Sequence, residues 1–159
     1  MEIFQRFSDD KDFALATHVF ANASHFRKLL HEFPWDSQSD WIQWGLLEAT
    51  LVKARAIADF LITDTQNRKE DFVARSMIPH WIQNESEFAE LRELVNKQVA
   101  HFAQERFIDG LEKAVISEDS LIAALRAVES AFSRFEAELC KHNSDLHDQL
   151  TRYSLHFRS

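Results

Sequence analysis

Apolar side chains along this chain return at steps of three and four, the period of helices that bury one face. Phe13, Ala16, Val19, Phe20, Ala23, Phe26, Leu30 and Phe33 draw one such stripe, which predicts a first helix from about Asp9 to Glu32. Asp9, Asp10 and Asp12 stand in its first turn, where carboxylates complement the helix dipole. Pro34 disfavours helical geometry at Phe33 and closes the element.

A second helix is expected after Ser39 or Asp40, both good N-caps, running to about Ile62. Trp41, Trp44, Leu47, Leu51, Ala54, Ala58 and Leu61, joined by Leu46, Ile57 and Phe60, cover more than one of its faces. A helix that apolar is expected at the centre, with neighbours on two sides. Residues 63–83 read as irregular: TDTQNRKED is polar, DFVARSMI can form a short helix, and Pro79 breaks it. Asn84 and Glu87 have the spacing of a capping box. The third helix they open carries Phe88, Leu91, Val95, Val99 and Phe102 on one stripe and stops near Gly110. Ser117, Glu118 and Asp119 start a fourth, whose Leu121, Leu125, Val128, Phe132, Phe135 and Leu139 alternate as a bundle seam does. Asn143 and Ser144 end it, and Leu146, Leu150 and Tyr153 predict a short fifth helix. The expected fold is all-α, an antiparallel four- to five-helix bundle forming one domain over residues 1–159.

Composition supports this pattern. Only two Gly and two Pro occur, and strand-rich folds need turn residues every 8–12 positions or so. Fourteen Phe and four Trp supply a core without metal or disulfide staples. The single cysteine, Cys140, can form no intramolecular disulfide or thiolate cluster, which fits a reducing compartment; its default reading is a small buried thiol. MEIFQRFSDDKDF has neither the basic nor the apolar region of a secretory signal, and no apolar run reaches the ~18–20 residues that span a bilayer. The expectation is a soluble cytoplasmic protein without membrane attachment. A net charge of −8 argues against broad phosphate-backbone binding, while leaving a local nucleic-acid site open.

Candidate chemistry centres on Leu91 to Arg106, LRELVNKQVAHFAQER, which places Asn96 and His101 with four residues between them. That step turns a helix by about 140°, so the two side chains do not share one face. His101 lies on a secondary stripe with Leu94, Gln98 and Glu105, expected to face a second subunit or the segment around Pro79. The plain alternative is a surface histidine. The NKQVAH run resembles the core motif of HEPN domains, in which Arg, sometimes Asn, is followed after four to six residues by His. EATLVKARAIADFL, with Glu48, Arg55 and Asp59, is similar to the second helix of such domains, and the resemblance spans about Trp41 to Leu139.

The resemblance implies a metal-independent ribonuclease or RNA-associated protein of the toxin–antitoxin or defence kind, a homodimer with residues of both protomers converging in a cleft. It marks Asn96, His101 and Arg55 as site residues. His can accept and deliver protons near neutral pH. Asn96 can donate a hydrogen bond but brings no charge, so Arg55, Arg92 or Lys97 would have to supply the cation that stabilises a phosphorane. The family also contains non-catalytic members, so a helical-bundle module that binds another protein is the alternative.

Plainer readings stand beside these. Arg55 and Asp59, one turn apart, suit an intrahelical ion pair of ~0.2–0.5 kcal/mol, and Glu48 suits a solvated or pairing charge. No histidine follows a Glu by three positions, the signature of di-iron bundles. Glu138/His142 and His101/Glu105 stand four apart but have no matching second set, so no metal or cofactor is expected. With Gly45 and Gly110 alone, neither a phosphate-binding glycine loop nor a nucleophile elbow can be built. Trp35, Trp41, Trp44 and Trp81 are expected to staple loops onto the bundle end, with a partner groove or base stacking as the other reading.

Overall fold

The computed structural model describes residues 11–32, 37–62, 72–95 and 118–155. Among these, every regular element is helical: α1 (Lys11–His31), α2 (Asp40–Leu61), the single turn α3 (Ala74–Met77), a 3₁₀ turn (Glu85–Phe88), α4 (Ala89–Val95), α5 (Glu118–His142) and α6 (Ser144–Leu155). The bundle is therefore all-α, and the short helices α3 and α6 fall where DFVARSMI and the Leu146, Leu150 and Tyr153 spacing predict them.

α2 is central. It packs against α1, α4 and α5, while α6 closes the other side of α1 and α5. Leu51, Ala54, Ile57, Ala58, Phe60 and Leu61 of α2 are buried, as are Ala16, Phe20, Ala23 and Phe26 of α1 and Leu125, Val128, Phe132, Phe135 and Leu139 of α5. These are largely the positions at steps of three and four. Phe135 is the node, with its ring edge-to-face with Phe60 (5.2 Å) and with Trp81 (5.4 Å), an arrangement worth ~0.5–1.5 kcal/mol per pair beyond area burial.

Trp81 also satisfies the end of α2. Its indole Nε1 donates to the Leu61 carbonyl at 3.0 Å in a buried position. That carbonyl belongs to the last turn, where helical partners run out. Arg75 of α3 in turn donates through Nε to the Trp81 carbonyl at 3.0 Å. Residues 72–83 are thus held to α2 by two aromatic side chains, Trp81 and Phe72, whose ring stacks on Phe60 at 5.8 Å.

Polar ties join the outer helices. Arg27 of α1 donates to both carboxylate oxygens of Glu136 on α5 (2.6 and 3.1 Å) and to Ser133 (2.9 Å), with its guanidinium 5.5 Å from the Phe132 ring centroid. His31 sits 2.7 Å from Glu129 on the same face. Lys53 of α2 donates to Asn22 of α1 at 3.1 Å. The caps follow local rules. The Asn84 side chain accepts from the Ser86 amide, and the Asn143 side chain accepts from the Leu146 amide at 3.0 Å and opens α6. Asn143 both ends one helix and starts the next.

Three expectations need correction. Glu87 does not close a reciprocal capping box but pairs with Arg134 of α5 at 3.1 Å. Trp44 is not buried with the apolar positions of α2 but 55% exposed. Cys140 is exposed rather than buried, because it follows buried Leu139 by one residue, about 100° around the helix.

The node sets an order of effects. Phe135→Ala should cost about 3–5 kcal/mol, as a large aromatic lost from a packed core. Trp81→Phe, which keeps the ring but strands the Leu61 carbonyl, should cost about 1–3 kcal/mol. Urea unfolding midpoints read both; an unchanged Trp81→Phe variant would contradict the capping role.

Candidate functional site

Arg55 and Asp59 lie one turn apart on α2, and their side chains meet at 3.6 Å between Nε and Oδ2. The plain reading of this pair is the one observed. Asp59 also accepts from Arg92 of α4 at 3.3 Å through its other oxygen, and Arg92 reaches Glu85 at the start of the 3₁₀ turn. The result is a chain of four charges, Arg55–Asp59–Arg92–Glu85, crossing from α2 to α4. Among the described residues, two cations here face two carboxylates. It sits at half-buried positions where solvent weakens each pair.

Its position bears on the sequence motif. α4 ends at Val95, and Asn96 is the next residue in the chain. Asn96 and His101 themselves lie outside the described residues, as do Lys97 and Glu105. Of the three site residues expected, Arg55 is therefore the one whose surroundings can be stated. The structure brings it together with Asp59 and, through that carboxylate, with Arg92. The Arg92–Asp59 contact has no signal in sequence, since 33 residues separate the partners. Arg92 enters the sequence reading only as one of three candidate cations.

Leu94 stands on the secondary stripe expected to meet a second subunit or the segment around Pro79; it is only 6% exposed and belongs to the chain's own core, so at this residue the stripe is covered from within the chain. α4 packs against both α2 and α5, so two of its faces are buried and Leu94 fills the second.

Other groupings hold less chemistry. His80 and His142 meet edge-to-face with centroids 5.7 Å apart. Beside them Glu138 accepts from Lys141 at 2.7 Å; that hydrogen bond, together with the ammonium charge, holds the Glu138 carboxyl below the usual carboxylate range. Trp81, Ile82, Arg134, Ala137, Glu138 and Lys141 line an open depression next to this pair. Among the described residues, no three His, Cys, Asp or Glu side chains gather to hold a metal ion, and no helix is long and apolar enough to cross a membrane. No family model, curated protein or solved structure matches the chain.

The network predicts unequal costs. Arg55→Ala should change stability by ~0.5 kcal/mol or less, as for an exposed pair within one helix. Arg92→Ala removes two ion pairs between elements and should cost about 1 kcal/mol, the upper end for such pairs. Urea denaturation of the two variants checks this; a costlier Arg55→Ala would contradict the assignment of Arg92 as the bridge.

Proposed function

We propose that the chain is a HEPN-like helical domain, a homodimer that acts on RNA or associates with it, of the toxin–antitoxin or defence kind. The observation that carries the reading is the position of the Asn96–His101 run. It follows directly on α4, the helix whose Arg92 is linked through Asp59 to Arg55. The resemblance asks for a cation near that motif, and the Asp59 network holds two guanidiniums beside the helix that leads into it.

The chemistry needs no metal. His101 takes the proton of a ribose 2′-hydroxyl as its oxygen attacks the adjacent phosphorus. The bond to the 5′-oxygen breaks, that oxygen receives a proton from the second imidazole of the dimer or from water, and a 2′,3′-cyclic phosphate results. Asn96 donates a hydrogen bond to the phosphorane, and Arg55 or Arg92 supplies the positive charge that Asn96 lacks.

A second reading, a non-catalytic module that binds another protein, is favoured by the pairing within the same network. Arg55 already faces Asp59, and Arg92 faces both Asp59 and Glu85, so neither guanidinium brings uncompensated charge to a phosphate. Incubation of the purified protein with RNA in EDTA separates the readings. The nuclease reading expects cleavage that falls at least ~100-fold in His101→Ala, the usual range for a lost general base. Cleavage that survives the substitution removes His101 from the mechanism, and an inert wild-type chain favours the binding module.

A further inference from the structure

His80 and His142 are brought together by the fold and by nothing in the sequence. Their rings meet with centroids 5.7 Å apart and planes inclined by 69°. Both residues are exposed. His31 and His147 lie against carboxylates, 2.7 Å from Glu129 and 3.4 Å from Asp148. Neither His80 nor His142 forms a hydrogen bond among the described residues, so each neutral ring keeps a nitrogen lone pair to give.

Both residues stand on held backbone. His80 occupies the turn that the Trp81 amide closes on the Ile78 carbonyl at 2.9 Å, between buried Ile78 and buried Trp81. His142 is the last residue of α5, and the Asn143 amide carries that turn on to the Leu139 carbonyl at 2.7 Å. Glu138 lies one turn before His142 on the same face. Its carboxyl, held low first by Lys141, also feels the charge of His80. The spacing of Glu138 and His142 has no matching second set along the chain; the fold supplies His80 instead.

The geometry points to a site for one divalent transition ion, Zn²⁺ above all, bridged by His80 and His142. Neutral imidazole is the commonest metal ligand and suits Zn²⁺. Ligand nitrogens about 2.0–2.1 Å from one tetrahedral ion set two ring centroids roughly 5–6 Å apart, and the observed 5.7 Å lies in that range. No three His, Cys, Asp or Glu side chains gather among the described residues, so the protein supplies two ligands and water the others. This is an open shell rather than a closed structural one. Glu138 accepts a hydrogen bond from a metal-bound water and balances part of the charge. The Lys141 ammonium opposes a cation, but its side chain is 72% exposed and solvent screens the repulsion. Cys140 stands roughly 160° from His142 around the helix and cannot join the set.

The ion ties the turn at His80 to the end of α5 from outside, over the corner that Trp81 and Phe135 lock from within. It stabilises the folded chain, because the two ligands converge only there. The site is independent of the chemistry proposed for His101, which needs no metal.

Titration calorimetry of the full chain with ZnCl₂, beside thermal unfolding with and without Zn²⁺, tests the site. The wild type should take up one Zn²⁺ at its tightest site and unfold at a higher temperature when loaded. His80→Ala and His142→Ala should each weaken that binding at least ~10-fold and remove the rise in Tm, whereas Cys140→Ser and His147→Ala should keep both. His80→Phe separates metal binding from ring packing. It preserves the aromatic contact, so it should match the wild-type Tm in EDTA yet lose the response to Zn²⁺. A wild type that binds no Zn²⁺, or a rise in Tm that survives both alanine variants, overturns the site and leaves an aromatic contact alone. RNA cleavage in EDTA is untouched by either outcome, so the two readings fail separately.

Discussion

The meeting of Phe135 with Phe60 and Trp81 joins α2 to two other stretches of the chain. Phe60 brings the last turn of α2, Phe135 the middle of α5, and Trp81 the irregular connection between them in sequence. The indole hydrogen bond to the Leu61 carbonyl makes this meeting directional as well as apolar, because it satisfies a group that the helix leaves open. With that corner fixed, α2 has three neighbours among the described elements, α1, α4 and α5.

Helices with a single apolar stripe were readable from residues alone. α1 and α5 bury Ala16, Phe20, Ala23 and Phe26, and Leu125, Val128, Phe132, Phe135 and Leu139, the positions that steps of three and four select. Local polar signals were also readable, as at Asn84 and in the Arg55–Asp59 pair, since both act within one turn. α2 was harder. Trp44 counts among the apolar positions of that helix, yet it is 55% exposed, which only the placement of the neighbouring helices decides. Leu94 is the converse case, a residue off the main stripe that a second neighbour buries. Arg27 with Glu136, 109 residues apart, and Arg92 with Asp59 leave no local trace, because ion pairs between helices depend on packing that sequence periodicity does not encode. Of the candidate site, Arg55 and its local partner were legible, while its link to Arg92 was not.

The functional reading combines two kinds of support. The amide–imidazole run supplies the chemistry, and the Asp59 network supplies a fixed position for two guanidiniums beside the helix that enters it. Pairing within that network is the constraint on any phosphate chemistry. Preorganised positive charge stabilises a phosphorane, so the proposed chemistry would require the Asp59 contacts to leave a guanidinium directed at the phosphate.

The central claim is that α2 is the scaffold on which the remaining elements are ordered, locked at its C-terminal half by the aromatic corner. Native-state hydrogen exchange measures this directly. Amides from Leu51 to Leu61, together with those from Val128 to Leu139 of α5, should exchange only through global unfolding and be the slowest in the protein, with α6 opening earlier through local events. Exchange in the second half of α2 as fast as in α6 would contradict the account.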